Sequence, residues 1–496
     1  MKFVSTSSKK LARLRLKLIS YFKKNTRFSI FIFVTIFIAV FFRFYDYLTR
    51  IYIYADSSLF VQVAYFAYKN FKLPQIGPFA QGPFFTGPWW LWILQTVFIV
   101  PLGLLTPWYF MSLLSLIFII LIFFAGKEIG GREMGALAAL FASLSTAQID
   151  NSFTTWNAAA DPFLGLLVIL WVLKYRKERK SIYFFLAGFC LSLAISIHFQ
   201  SAFIAPLVGI AIVTLKPKIK DVLALVIGIS IPLLPFLYFD VRFHWFETRR
   251  ILDYLLIGQQ RIYIPNRWLT YAGVYWPTNW AWIIGGNIWV VYLLIGFTTI
   301  LSIVRLIQYK KYVNYYIVAF SFVLSLVMLR YYRGERQFYY TNYAHAFVLL
   351  ITAWTIKELY AYKKILGAGF AGIIIVFSFQ ASLRNFAPRV ITYQQVNQLV
   401  SEVYTKYPQA NFDIYECPFV ASMISTAVSY KIYYDGRNTP DGIKIGVCND
   451  NFKLSWREVT DREIDFQYGY KNKSTPHTYE DMTEWWKKNP PGASLY

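Results

Sequence analysis

The sequence predicts a polytopic, all-α membrane protein with a small α/β domain at its C-terminal end. Hydrophobic residues make up 57% of the 496 residues and charged residues only 15%. A soluble protein of this length needs a far more polar surface, so the chain is expected to lie in a membrane. Residues 381–496 differ, because strand-like segments separated by turn residues replace the long apolar runs there.

The charge pattern argues against nucleic acid as a partner. The cysteine and histidine pattern argues against a metal site built from these residues. The formal net charge is +24, but the basic residues fall in short clusters between apolar runs. That distribution is typical of cytoplasmic loops and not of a nucleic-acid-binding surface. The three cysteines and four histidines show no metal-ligand spacing, so we predict no metal site from these residues.

The N-terminal segment predicts the orientation of the chain. Residues 1–27 carry nine Lys or Arg and no acid, and an apolar run follows from Phe28. No small-residue cleavage site follows this run, so we interpret it as an uncleaved anchor with a cytoplasmic N-terminus. The anchor carries the next loop, residues 46–88, to the outer side of the plasma membrane.

Further apolar runs over residues 28–380 predict a total of about 11–13 transmembrane helices. Basic clusters at 174–180, 216–220, 305–311 and 357–364 place alternate loops inside. The run 84–105 is ambiguous, because Pro88 and Pro101 interrupt it. The loop near residue 130 is cytoplasmic only if this run does not cross.

The first outer loop has an unusual composition. Asp56 stands where the first membrane segment has ended, and Ser58, Gln62, Tyr65 and Lys69 then recur with a helical period. This pattern predicts a helix in the membrane interface, with one face in water and the other in lipid. A stretch rich in proline and glycine follows, from Pro74 to Pro88. A carboxylate held beside such a rigid loop is a candidate for chemistry.

The region 381–496 is predicted to be an extracytoplasmic α/β domain. The segments FDIYEC, SYKIYYDG and GIKIGVC have strand-like alternation, and Tyr479–Lys488 is a short helical candidate. Cys417 and Cys448 are candidates for a disulfide, because the outer compartment permits one. Two unpaired thiols are the alternative, since spacing does not establish geometry.

Polar groups at the mouths of membrane helices are costly, so each suggests a function. Asp56 is a candidate general base, and a helix N-cap is the alternative. Asp161, before Pro162, is either a second catalytic acid or a helix start, and Asp150 lies in the same loop. His198 is either structural or part of a site. Seven arginines on the outer side form either an anion site or a surface facing lipid headgroups: Arg249, Arg250, Arg261, Arg267, Arg330, Arg333 and Arg336.

This layout resembles the GT-C glycosyltransferases, in particular the branch of protein O-mannosyltransferases and lipid A aminoarabinose transferases. The likeness covers roughly residues 28–380. It rests on Asp56-Ser57 in the first loop, Thr86-Gly87-Pro88-Trp89 at the next helix, Asp161, His198-Phe199, and the stretch from Arg336 to Tyr343. The chain departs from the family pattern at two points, since Ser57 replaces a second carboxylate and no lysine precedes Pro88.

The resemblance implies a polyprenyl-phosphate-sugar donor in the outer leaflet and an inverting transfer to an acceptor hydroxyl. It implies no nucleotide cofactor and leaves a requirement for a divalent metal open. The acceptor is a glycan, a lipid or a protein. We predict catalytic roles for Asp56 and Asp161. Substrate-binding roles are predicted for Ser57, Gln62, Thr86, His198, Arg333, Arg336, Tyr339 and Tyr340.

Two other classes of protein share some of these features. A transporter or flippase for lipid-linked saccharides would also be aromatic and cationic, but it is expected to show inverted repeats and acids at membrane centres. Neither pattern is present in the sequence. A non-catalytic scaffold whose outer domain binds a partner is the other alternative, and it assigns no role to Asp56.

Overall fold

The computed structural model describes residues 25–80, 84–256, 268–332, 337–417, 423–450 and 453–460. A helical bundle occupies the chain as far as Arg384. Its helices are Thr26–Phe44, Tyr47–Arg50, Asp56–Lys69, Trp89–Val97, Thr106–Gly130, Arg132–Ser143, Thr146–Asn151, Asp161–Glu178, Ser181–Ile197, Ala205–Leu215, Ile219–Arg242, Phe246–Leu256, Trp268–Thr270, Trp276–Ile284, Ile288–Leu306, Val313–Tyr331, His345–Tyr362 and Lys364–Arg384. Between them, the described residues include the 3₁₀ segments Asn157–Ala160, Phe199–Ile204 and Phe338–Ala344.

Seven helices of the described residues are long and apolar enough to cross a membrane. Two further apolar helices, Ser181–Ile197 and Phe199–Leu215, are shorter. Many side chains on these helices are large, apolar and exposed, such as Phe33, Leu234 and Ile300. Such surfaces are unfavourable in water and favourable in lipid. The chain is therefore an integral membrane protein, as its composition predicts.

The ambiguous run 84–105 forms only a short helix. The helix Trp89–Val97 has nine residues and is about 14 Å long at 1.5 Å per residue. The hydrocarbon core of a bilayer is about 30 Å thick, so this helix is too short to cross it. That length is consistent with a cytoplasmic position for the loop near residue 130.

Two neighbouring helices of the bundle pack closely through glycines. A Cβ on Gly188 would lie 2.5 Å from the carbonyl oxygen of Leu225, and a Cβ on Gly228 would lie 2.2 Å from that of Phe185. Small residues allow helix backbones to approach in lipid, where van der Waals contact replaces the hydrophobic effect as the driving force. The helices Ser181–Ile197 and Ile219–Arg242 are thereby held together, and the first of them carries His198 at its end.

The C-terminal region contains a three-stranded sheet in the order β1-β2-β3, with β1 Phe412–Glu416, β2 Ile443–Asp450 and β3 Lys453–Glu458. β1 pairs with β2 in parallel, and β2 pairs with β3 antiparallel. The helices of this region are Tyr393–Lys406 and Ser425–Tyr434. Together with the bundle they confirm the predicted fold class. The disulfide candidates Cys417 and Cys448 are bonded to each other.

Two local predictions are wrong. The segment SYKIYYDG forms part of the helix Ser425–Tyr434 and not a strand, because burial of its apolar face outweighs the strand propensity of its Tyr and Ile residues. The predicted wet face of the helix Asp56–Lys69 is not in water, since Ser58, Gln62 and Tyr65 are buried. The ring of Tyr65 stacks on Tyr434 at 4.8 Å. The predicted helix Tyr479–Lys488 lies outside the described residues.

Candidate active site

A cavity of about 340 Å³ is formed where several loops and helix ends meet. The predicted topology places all of these ends on the outer side of the membrane. The cavity is lined by Asp56, Phe60, Phe79, Ala80, Thr86, Trp156, Asn157, Ala158, His198, Phe199, Gln200, Tyr339 and Tyr340. Five residues that the sequence singled out as site residues are therefore in one place: Asp56, Thr86, His198, Tyr339 and Tyr340.

Asp56 is the first residue of the helix Asp56–Lys69, and its side chain is exposed to the cavity. Ala55 is the N-cap, and no side chain makes a capping hydrogen bond there. The alternative role of Asp56 as a capping residue is therefore not observed. Within the described ranges its carboxylate has no hydrogen-bond or ion-pair partner. Desolvation by the surrounding protein raises the pKa of this carboxyl group, which makes its ionised form a stronger base.

Ser57 and Gln62 belong to the same helix but do not line the cavity. The hydroxyl of Ser57 is 2.7 Å from that of Thr154, and its carbonyl accepts a hydrogen bond of 2.8 Å from Thr155. Gln62 is buried and donates to Ser429 of the C-terminal region at 3.4 Å. Both residues hold the helix in place, so the structure does not place them against a ligand in this cavity.

Asp161 lies behind the cavity wall and contacts it through His198. One carboxylate oxygen of Asp161 is 2.6 Å from Nδ1 of His198, and the side chains of Asp161 and His198 are 1% and 9% exposed. Because Nδ1 is engaged, Nε2 is the ring nitrogen that remains for a ligand in the cavity. Asp161 itself does not line the cavity. Asp161 therefore contacts His198 and does not directly contact a substrate bound in the cavity.

Aromatic rings form one wall of the cavity. The ring of Trp156 is 5.4 Å from that of Tyr339, which lies 4.6 Å from Tyr340. Tyr340 is in turn 5.8 Å from the His198 ring. Trp156 and Asn157 were not predicted as site residues, although they lie in the same stretch as Asp161. The amide of Asn157 donates to the Ile197 carbonyl at 2.8 Å and fixes this wall to the helix that ends at His198.

Residues of the proline- and glycine-rich loop form another part of the wall. Thr86 donates both its backbone N–H and its hydroxyl to the carbonyl of Pro78, at 2.9 and 3.1 Å. The N–H of Gly87 donates to the carbonyl of Ser196 at 2.8 Å. A Cβ at Gly87 would lie 1.9 Å from the Ser196 hydroxyl, so a larger residue there would displace the Ser196 side chain. The loop is thereby held against the helix end that carries His198.

Glu247 bonds this loop through Phe85, and no sequence pattern selected it. Its carboxylate accepts the Phe85 N–H at 2.9 Å. The side chain is fully buried. Burial, together with the nearby Asp240, raises the pKa of Glu247 to about 8.

We expect this carboxyl group to make stability depend on pH. The folded state keeps the Glu247 proton up to about pH 8, whereas the unfolded chain loses it near the ordinary value of 4.5. Stability should therefore fall as pH rises through this window, by up to about 1.4 kcal/mol per pH unit. Glu247→Gln should flatten the pH dependence of thermal unfolding in detergent. The exposed Glu402→Gln is the control, and parallel curves for wild type and Glu247→Gln would contradict the assignment.

Only some of the arginines of the predicted anion site belong to the described residues. Arg330 is not among the lining residues, and its guanidinium lies 4.9 Å from the centre of the Trp268 ring. Arg333 and Arg336 lie outside the described residues, as do Arg261 and Arg267. Asp150, the alternative to Asp161, pairs with Arg389. In the described part of the chain no three His, Cys, Asp or Glu residues form a group suited to a metal ion.

The fold is similar to those of known membrane enzymes, although the sequence is not. No protein-family model matches the chain, and no curated protein matches it in sequence. ArnT of Cupriavidus metallidurans, in a structure bound to undecaprenyl phosphate, is similar with a TM-score of 0.57 and 9% identity, over 85% of this chain and 93% of that one. The apo structure of the same protein has a TM-score of 0.55 and 10% identity.

A second similar structure is the oligosaccharyltransferase of Archaeoglobus fulgidus. Its apo form has a TM-score of 0.52 and 12% identity, over 83% of this chain. The match spans 64% of that longer protein. A further structure of the enzyme, with an inhibitory peptide and a dolichol-phosphate, gives the same TM-score. These likenesses show that the chain shares the fold of ArnT and of this oligosaccharyltransferase, in agreement with the fold that the sequence resemblance implied.

Proposed function

We propose that the protein is a glycosyltransferase that moves a sugar from a polyprenyl-phosphate carrier to an acceptor hydroxyl on the extracytoplasmic face of the plasma membrane. One observation carries the proposal. In a GT-C fold, a carboxylate without a partner in the described residues faces a cavity that also contains a histidine and several aromatic rings. A structural carboxylate would be paired or hydrogen-bonded at such a position.

Asp56 acts as the general base in this proposal. The acceptor oxygen attacks the anomeric carbon and transfers its proton to the Asp56 carboxylate. The bond between the anomeric carbon and the phosphate oxygen breaks, and polyprenyl phosphate leaves with the electron pair. A single displacement of this kind inverts the anomeric configuration. The raised pKa of Asp56 favours proton transfer from a hydroxyl.

His198 binds the substrate through Nε2, and Asp161 positions its ring. An Nδ1–H bonded to a carboxylate fixes the tautomer and the orientation of the imidazole. With Nδ1–H bonded to Asp161, Nε2 is the acceptor that the ring offers to a hydroxyl of a substrate in the cavity. Arg333 and Arg336 are proposed to bind the donor phosphate, on the sequence pattern alone.

The lipid-linked donor is supported by the similar structures, which were solved with undecaprenyl phosphate and with a dolichol-phosphate. The exposed apolar helices place the protein in a membrane, where such a carrier lies. The proposed topology has a cytoplasmic N-terminus and an extracytoplasmic C-terminal domain. The sugar is a hexose or a pentose, and the acceptor is a glycan, a lipid or a protein.

A transfer assay tests this proposal. Purified protein in liposomes is incubated with a panel of radiolabelled polyprenyl-phosphate hexoses and pentoses, each with glycan, lipid and peptide acceptors. We expect label to leave the donor with at least one combination, and the product to have the inverted anomer. Movement of label across the vesicle membrane without transfer would instead indicate a flippase. Binding of donor with neither outcome would indicate a scaffold.

A further inference from the structure

The backbone immediately before Asp56 is in an unfavourable conformation. Ala55 has φ 51° and ψ −139°, in a region that residues other than glycine rarely adopt. Such a conformation persists only where neighbouring groups hold it. The direction of the Asp56 side chain depends on it, because Ala55 sets the path by which the chain enters the helix Asp56–Lys69.

The group that holds the N–H of Ala55 comes from the C-terminal region, more than 360 residues later in the chain. The Ala55 N–H donates to the carbonyl of Met423 at 3.2 Å. The Thr426 hydroxyl donates to the same Met423 carbonyl at 2.6 Å and lies 3.4 Å from the carbonyl of Ala55, which accepts the Leu59 N–H of its own helix at 3.0 Å. Met423 thus bonds Ala55 directly, and Thr426 holds the Met423 carbonyl in place.

Glu416 bonds the backbone immediately after Met423. It is the last residue of β1, and its carboxylate accepts the N–H groups of Ile424 at 2.9 Å and Ser425 at 3.0 Å. The next residue, Cys417, is bonded to Cys448 of β2. A continuous series of bonds therefore runs from the C-terminal sheet through Glu416 and Met423 to Ala55.

The other neighbour of Asp56 is held by the bundle. Ser57 is bonded to Thr154 and Thr155. Asp56 thus lies between two anchored residues, while its own carboxylate makes no hydrogen bond in the described part of the chain. Its direction is set by the backbone on either side of it, and one of the two anchors belongs to the C-terminal domain.

We propose that Glu416 and Thr426 of the C-terminal domain are positioning residues that fix the backbone at Ala55 and thereby direct the Asp56 carboxylate into the cavity. The proposal rests on the assignment of Asp56 as the base. It gives the C-terminal domain a role in the chemical step itself.

The test uses full-length Glu416→Gln and Thr426→Val. Glu416→Gln removes the charge and one acceptor oxygen, and Thr426→Val removes only a hydroxyl. We expect kcat for sugar transfer to fall about 10- to 100-fold, since a small misplacement of a catalytic group has effects of this size, with KM for the donor within about twofold. Thr426→Ser restores the hydroxyl and should restore kcat. Glu458→Gln, which removes an exposed ion pair of the same domain with Lys406, is the matched control.

A second measurement does not depend on activity. Labelling of Asp56 by a carbodiimide, followed across pH by mass spectrometry, should have its midpoint above that of an ordinary aspartate in the wild type. In Glu416→Gln and Thr426→Val the midpoint should move towards the ordinary value. If Glu416→Gln does not fold, the labelling midpoint and kcat of Thr426→Val alone test the proposal. A wild-type midpoint and kcat in a folded variant would overturn the proposal, whereas absence of transfer by the wild type would overturn only the proposed reaction.

Discussion

Asp56→Asn is expected to lower the turnover number for sugar transfer by at least about 10²-fold. Asparagine has nearly the same shape but cannot accept a proton, and general base catalysis contributes about 10²- to 10⁴-fold. The Asp56 carboxylate makes no hydrogen bond within the described residues, so the substitution breaks no structural contact there. Donor affinity and thermal stability should therefore remain close to those of the wild type, as measured by lipid binding and by unfolding in detergent.

The control for this experiment is Asp46→Asn. Asp46 is in the same outer loop and is exposed, and it accepts a hydrogen bond of 2.7 Å from Thr49. It does not line the cavity, so its substitution should leave turnover unchanged. In the wild type, the acid limb of the pH–rate profile should lie above the range of an ordinary aspartate, because desolvation by the surrounding protein raises the pKa of Asp56 and only the ionised form is a base. An equal loss of turnover in Asp56→Asn and Asp46→Asn would contradict the assignment of Asp56 as the base.

His198→Ala is expected to reduce the free energy of unfolding by roughly 3–5 kcal/mol, because it leaves the buried Asp161 carboxylate without its partner. Adding Asp161→Asn should recover part of this loss, since the unpaired charge is then absent. The two substitutions should therefore be strongly non-additive in a double-mutant cycle. The coupling is measured by thermal unfolding in detergent of the wild type, the two single variants and the double variant.

The same four proteins test the catalytic role of the pair. Asp161→Asn keeps His198 but removes the carboxylate that fixes its tautomer, so turnover should fall, by about 10²-fold, while the imidazole remains in the cavity. Cys190→Ala, at a buried thiol in the helix that precedes His198, serves as a control for general damage to the bundle. Additive stability losses, or unchanged turnover in Asp161→Asn, would show that the contact has no such role.

Sequence reasoning selected most of the polar residues of the cavity, because polar groups at the mouths of membrane helices are rare. Asp56 and His198 were found in this way, whereas Thr86 followed from the family resemblance, and Tyr339 and Tyr340 from their position before a membrane helix. The burial of Asp161 behind the cavity wall could not be predicted. Its place at a helix start is visible in the sequence, but the contact with His198 depends on how two helices pack.

Ser57 and Gln62 show the limit of this reasoning more clearly. Both lie beside Asp56 in the sequence, yet the helix directs them to other neighbours, Thr154 and Ser429. Periodicity predicted a polar face correctly but could not identify what covers it. Glu247 was missed because a single acid in a long loop gives no signal of its own. Only its burial against Phe85 distinguishes it.

The sequence by itself determined that this is a multi-helix membrane protein with a small C-terminal α/β domain, because hydrophobic composition and charge distribution are local properties of the chain. It also identified a carboxylate just after the first membrane segment. Only the tertiary structure decided which side chains share the cavity with Asp56, and that the Met423 carbonyl bonds the residue before it. Contacts between residues hundreds of positions apart depend on packing geometry, which no local pattern records.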